Sequence, residues 1–225
     1  MFIKRTITVF LLLAPLTTYS KINWVKNEKI NPEQISSAKI IYHGEVNPQQ
    51  ISELMLSLDE INNDYPALKS IKLYISSFGG SMESGYLGYQ AIKASTIPVE
   101  TINAGITGSA ATLLYCGAKK RYTLPEATFI LHPAATPNSK RDWLRPNDIE
   151  LMKKDVDDGN QYFASTYREC TTLQDKEITR ILSSNDQLRY IRSAEARKIE
   201  LSQGDTSGIT PAQVSYFIIN DDEAK

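Results

Sequence analysis

Ser109 lies in the segment Gly105-Ile106-Thr107-Gly108-Ser109-Ala110-Ala111-Thr112. The pattern predicts a strand before this segment and a short apolar helix of about 109–117 after it. A hydroxyl at that junction sits at the positive end of a helix dipole, beside N–H groups that have no partner within the helix. Such a setting suits a nucleophile whose tetrahedral intermediate carries an oxyanion. It is not the Gly-x-Ser-x-Gly elbow, because the flanking positions are Thr107 and Ala111. A serine that merely caps a tight Gly/Ala helix would look the same locally. A second segment, Ser76-Ser77-Phe78-Gly79-Gly80-Ser81, also joins a strand to a helix. Paired glycines let the backbone approach a ligand and point successive N–H groups at it. A tight turn with no ligand has the same pattern.

A serine nucleophile needs a base, and the chain offers only two histidines, His43 and His132. His132 ends the apolar run Thr128-Phe129-Ile130-Leu131, and Pro133 breaks the strand behind it. A histidine at a strand end faces a loop-lined cleft more often than a core. His43 precedes Gly44-Glu45 without a matching serine environment and reads as a surface or packing histidine. The two histidines and two cysteines show neither CxxC nor HxxxH spacing, so no metal site is expected. Nothing in the chain calls for a cofactor.

Lys plus Arg is 25 and Asp plus Glu is 26. This near balance gives no basic field for nucleic acid. Residues 1–20 read as a secretory signal peptide. Lys4 and Arg5 precede an apolar run from Ile7 to Leu16, too short to span a bilayer, and Thr18-Tyr19-Ser20 offers a cleavage site after Ser20. The chain is therefore expected to be exported, to a periplasm or beyond, with no transmembrane span in its mature form. An exported chain can hold a disulfide. Cys116 and Cys170 are the candidates, although Cys116 in its apolar stretch reads equally well as a buried thiol.

Residues 21–38 read as irregular. Strands are expected at 39–43, 71–75, 99–103, 121–124 and 128–132, and a last one at 214–220 within a tail of 205–225. Helices are expected at 48–63, with Asn47 as cap and Pro48 at the first position, and at 82–94 behind Ser81. A long helix from Asn147 to about Glu169 carries Ile149, Met152, Val156 and Phe163. Thr172 and Ser193 are read as caps of two further helices, the first ending near Leu182. A turn is expected between Gly105 and Gly108. Strands alternating with helices argue an α/β fold.

These pieces, in this order, resemble the proteolytic subunit of the Clp protease, ClpP, and its relatives of the ClpP/crotonase fold. The features are strand–helix–strand–Gly-Gly, Gly-x-x-x-Ser-Ala-Ala before a helix, Ala-Lys-Lys-Arg-Tyr-Thr-Leu-Pro, and an apolar strand ending in His-Pro. The resemblance runs over 39–204, and the Ser109-to-His132 spacing is closest to phage-type ClpP-like members. It implies an α/β fold of repeated strand–strand–helix units with a helical handle over 147–182. It implies Ser109 as nucleophile, His132 as general base, and the N–H groups of Gly80 and Ala110 as the oxyanion hole. The sequence departs from the family in three places. Phe78 stands where a proline is usual before the glycines. Thr107-Gly108 replaces a small pair. The position expected for the third, acidic triad member is Leu188, with Asp186 two residues earlier as the carboxylate for the role. A Ser–His dyad and a catalytically silent scaffold are the alternatives.

The expected activity is ATP-independent hydrolysis of peptides or unfolded segments by a serine peptidase. A homo-oligomeric ring is implied by the resemblance. Export argues against a cytoplasmic ATPase partner and against the acyl-CoA chemistry that the crotonase fold also supports.

Overall fold

The structure is a computed structural model that describes residues 23–137 and 143–219. In chain order the strands are β1 Asn23–Lys26, β2 Ala38–His43, β3 Ile71–Ser77, β4 Val99–Gly108, β5 Lys120–Thr123, β6 Thr128–Leu131, β7 Arg189–Arg192, β8 Gly204–Asp205 and β9 Val214–Ile219. The helices are α1 Pro48–Asp64, α2 Met82–Ala94, α3 Ala110–Cys116, α4 Pro146–Cys170, α5 Asp175–Ile181 and α6 Ser193–Lys198. The strands form one mixed sheet in the order β1-β9-β2-β3-β4-β5-β8. Strands β2 to β5 run parallel to one another and β9 runs parallel to β2, while β1 is antiparallel to β9.

The site depends on β4, which forks. Its first half, Glu100–Asn103, pairs with β5, and its second half, Ile106–Gly108, pairs with β6. Asn103 sits fully buried at the fork. Its amide donates to the Thr128 carbonyl at 3.0 Å and accepts the Gly105 N–H at 3.2 Å, so the split leaves no orphaned polar group on this side chain. The expected turn between Gly105 and Gly108 does not form. The strand continues to Gly108 because β6 supplies a second ladder for it.

The N-termini of α1 and α2 follow the expected capping. Asn47 accepts the Gln50 N–H at 2.9 Å and Ser81 accepts the Ser84 N–H at 3.2 Å. Ile51, Leu54, Leu58 and Ile61 of α1 recur at helical spacing and are buried in the core. Four local readings change. The segment 21–38 contains β1 and a 3-10 turn at Pro32–Gln34, because β9 offers β1 a free edge. Helix α4 begins at Pro146 behind Arg145, not at Asn147. Gln174, not Thr172, precedes α5, since the Thr172 N–H is taken by the Ile199 carbonyl at 2.8 Å. Ser193 is the first residue of α6, not its cap. The signal-peptide reading of 1–20 lies outside the described residues.

Helix α4 has two halves. Phe163, Thr166, Tyr167 and Cys170 form its buried stripe, against α3. Ile149 in the first half is 55% exposed, so the apolar pattern read there does not face the core. The end of α4 is fastened twice. Cys116 and Cys170 form a disulfide between the last residues of α3 and α4. Beside it, the buried Arg121 guanidinium donates to the carbonyls of Ala118, Cys170, Glu200 and Leu201 at 2.9–3.0 Å. Three of these carbonyls, those of Ala118, Cys170 and Glu200, lie at or within two residues of a helix C-terminus, whose partial negative charge suits a cation. Burial still lowers the Arg121 pKa, and Tyr115 and Glu200 oppose that shift.

Candidate active site

Ser109 stands between β4 and α3 with φ 51° and ψ −132°, one of two described non-glycine residues at positive φ. Such a conformation costs on the order of 1–3 kcal/mol and persists only where neighbours over-determine it. They do so here. The Ser109 N–H donates to the Ile130 carbonyl of β6 at 3.1 Å. Its carbonyl accepts the Thr112 N–H at 2.9 Å and the Thr112 Oγ1–H at 2.6 Å. With that proton committed, Thr112 Oγ1 accepts from the Tyr167 hydroxyl of α4 at 2.9 Å. Tyr167 is fully buried, and burial pushes its ionisation up, so it stays a neutral donor. The Ser109 side chain makes no capping bond to α3, which sets aside the reading of a simple helix cap.

The Gly79-Gly80 turn lies against this junction. Gly79 has φ 109° and Gly80 φ 148°. A Cβ on Gly79 would sit 2.5 Å from Ser109 Cβ and 3.0 Å from the Ala110 nitrogen. Only a glycine allows this approach. The turn is fixed from the other side by Val46, whose N–H donates to the Gly79 carbonyl at 2.8 Å and whose carbonyl accepts the Ser81 N–H at 2.7 Å. The N–H groups of Gly80 and Ala110 have no hydrogen-bond partner among the described residues. Gly80 is exposed, so its N–H is open to a ligand.

His132 follows β6 directly, as Ser109 follows β4. Gly108 pairs with Ile130 in that parallel ladder, so both side chains emerge at the same end of adjacent strands. No hydrogen bond joins Ser109 to His132. The imidazole is half-buried, edge-on to Phe163 with ring centroids 6.5 Å apart. Its Nδ1 lies 2.7 Å from the Pro133 carbonyl oxygen. A carbonyl can only accept, so Nδ1 is the donor in this contact, and in the neutral ring the lone pair then lies on Nε2.

The third position is explained by the sheet. Leu131 pairs with Arg189 in the antiparallel β6–β7 ladder, so one step further sets Leu188 across from His132. Asp186 lies in an exposed 3-10 turn, Asn185–Gln187, and its carboxylate makes no hydrogen bond or ion pair among the described residues. His43 ends β2, separated from β4 by β3. Sequence reasoning missed the Pro133 carbonyl and the Tyr167–Thr112 relay, since neither has a side-chain signature in the sequence. Among the described residues no cluster of three His, Cys, Asp or Glu could hold a metal ion. No described helix is long and apolar enough to cross a membrane.

The family model for Clp protease matches residues 26–201. The chain belongs to the Clp protease family. The proteolytic subunit of the ATP-dependent Clp protease from Dehalococcoides mccartyi is 38% identical over 124 residues, covering 52% of this chain and 58% of that protein. The chain thus spans less than two thirds of that relative. Subunit 2 from Nocardia farcinica is 28% identical over 172 residues, covering 73% of this chain and 78% of its own length. The solved structure of ClpP1 from Listeria monocytogenes superposes with a TM-score of 0.58 at 19% identity, covering 76% of this chain and 92% of that one. A point mutant of the same Listeria protein superposes with a TM-score of 0.61, also at 19% identity, covering 76% of this chain and 91% of that one. These likenesses establish the α/β ClpP-like fold. Proteolytic subunits of the Clp family are serine peptidases.

Proposed function

We propose that this Clp-family chain is an exported, ATP-independent serine peptidase acting on peptides or unfolded segments. One observation carries the reading. Ser109 is held in a positive-φ conformation against the Gly79-Gly80 turn, with His132, its Nδ1 2.7 Å from the Pro133 carbonyl oxygen, at the neighbouring strand end. In the proposed reaction His132 Nε2 takes the Ser109 proton as Oγ attacks the peptide carbonyl carbon. The N–H groups of Gly80 and Ala110 hold the oxyanion. His132 then gives the proton to the departing amine, leaving an acyl-serine. Water, deprotonated by the same nitrogen, hydrolyses the ester. The Pro133 carbonyl takes the orienting part that a carboxylate has in a triad, so the working unit is a Ser–His dyad.

Export is supported by the pattern of residues 1–20 and by the Cys116–Cys170 disulfide, since such bonds persist in oxidising compartments. Outside the cytoplasm an unfoldase ATPase has no ATP supply, hence the ATP independence. A homo-oligomeric ring is supported by the exposed first half of α4, which carries Ile149 and Leu151 into solvent. The catalytically silent scaffold is the second reading, favoured by Leu188 at the position facing His132. A fluorophosphonate probe should label the wild-type chain and not Ser109→Ala. A folded, assembled wild type that resists the probe would establish the scaffold instead.

A further inference from the structure

The carbonyl beside His132 Nδ1 belongs to the Pro133–Ala134 peptide unit, and the N–H of that same unit is held by α4. Asn160 Oδ1 accepts the Ala134 N–H at 2.8 Å, while the Pro133 carbonyl oxygen lies 2.7 Å from His132 Nδ1. We propose that Asn160 is the positioning residue of His132, acting through this peptide unit where a triad would use a carboxylate; the proposal rests on the peptidase reading above. The orientation of the Asn160 amide follows from its partners. The Ala134 N–H can only donate, so Oδ1 faces it, and Nδ2 donates to the Leu182 carbonyl at 3.4 Å. An acceptor on the N–H side of a peptide polarises its carbonyl, so the contact on the carbonyl side strengthens. The chain of contacts therefore runs from a helix side chain to the imidazole with no carboxylate in it.

Three positions of α4 serve this contact. Gly159 is buried in mid-helix, where glycine is otherwise disfavoured. A Cβ there would lie 2.7 Å from Ala134 Cβ, so the missing side chain lets the helix come up to Ala134 and sets Asn160 within reach of its N–H. Phe163, three residues after Asn160 and on the same helix face, is the ring edge-on to His132. It bounds the imidazole but carries no hydrogen-bonding group, so it does not choose which ring nitrogen holds the proton. That choice falls to the Pro133 carbonyl, whose direction is set by whatever holds its peptide unit. Pro133 has no N–H of its own, and the Ala134 N–H is committed to Asn160. When His132 takes the Ser109 proton the ring becomes an imidazolium, and a polarised carbonyl on Nδ1 stabilises that charge. Asn160 thus acts on the rate of proton removal and not on substrate affinity.

The test separates tautomer from turnover. Nitrogen NMR of the full chain, isotope-labelled only at its two histidines, reads which ring nitrogen carries the proton. Asn160→Leu keeps the size of the side chain and removes the acceptor. Asn160→Asp keeps the acceptor, and both variants lose the bond to Leu182. At a pH where the ring is neutral, His132 should hold its proton on Nδ1 in the wild type and in Asn160→Asp. In Asn160→Leu it should become a mixture of tautomers, with the His43 signals unmoved throughout as the control for the fold. In saturation kinetics of fluorophosphonate labelling, Asn160→Leu should lower the limiting rate by about tenfold, the scale of one hydrogen bond, with the half-saturating concentration within about twofold. Asn160→Asp should return the limiting rate to within about threefold of the wild type. An unchanged His132 spectrum in Asn160→Leu, or equal losses of rate in the two variants, overturns the proposal. Because the tautomer is read without turnover, the spectra decide the role of Asn160 even in a chain that never takes the probe, an outcome that would bear on the peptidase reading alone.

Discussion

Ser109, partly buried, is held at a backbone angle that its residue type disfavours, and its neighbours supply the constraint. Gly79 is the tightest of these. Gly79→Ala would add the cost of a side chain at φ 109° and drive a methyl into Ser109 Cβ. Fluorophosphonate labelling of that variant should fall by about 10²-fold or more, the scale on which oxyanion-hole geometry acts. The role of the acid can be tested the same way. Because His132 Nδ1 already donates to Pro133, Asp186→Asn should change kcat/KM by no more than about threefold. In a carboxylate-oriented triad the equivalent change costs about 10⁴. Conversely, Leu188→Asp puts a carboxylate across from His132 and should raise kcat/KM by at least about tenfold. The types of Ser109 and His132, and the paired glycines, were legible in the sequence because side-chain chemistry is written there. The orienting carbonyl was not, since every residue has one and only the fold decides which is used.

At the scale of elements, the fork of β4 does the positioning. Its second half carries Ser109 to the level of His132, and the sequence hid this because Gly105 and Gly108 read as turn residues. A strand can contain both when a neighbouring strand, here β6, completes its ladder. The helices with strong caps were legible, Asn47-Pro48 and Ser81 above all, because capping is local. The caps of α5 and α6 were not, because Thr172 and Ser193 have tertiary partners: the Ile199 carbonyl and the Asp205 carboxylate. The disulfide is a pairing across 54 residues that no local pattern encodes. Closing a loop of that length restricts the unfolded chain by about 4 kcal/mol on the chain-entropy model. The Cys116→Ala/Cys170→Ala double variant should therefore melt lower by on the order of 10 °C. Treatment of the wild type with a strong reductant should give a similar shift, read by calorimetry. No loss of Tm in either case would mean that Arg121 and the Tyr167–Thr112 contact hold α3 and α4 together unaided.

At the scale of the molecule, the exposed half of α4 and its lead-in present Trp143, Leu144, Ile149 and Leu151 to solvent, with Trp143 87% exposed. An apolar surface of this kind marks a contact. Light scattering after gel filtration should find the wild type as an oligomer. Ile149→Asp/Leu151→Asp should yield monomers, and an unchanged mass would move the contact elsewhere. The sheet also sets a timetable for the chain. Strand β9, the last of the described strands to be synthesised, lies inside the sheet, pairing with β2 on one side and β1 on the other. A ribosome-bound chain can form β2, β3 and β4 early, yet the edge of β2 stays bare until residue 219 is free. The sheet therefore closes only when all nine described strands have left the ribosome. An early stop before Val214 would release a protein with an open, aggregation-prone edge.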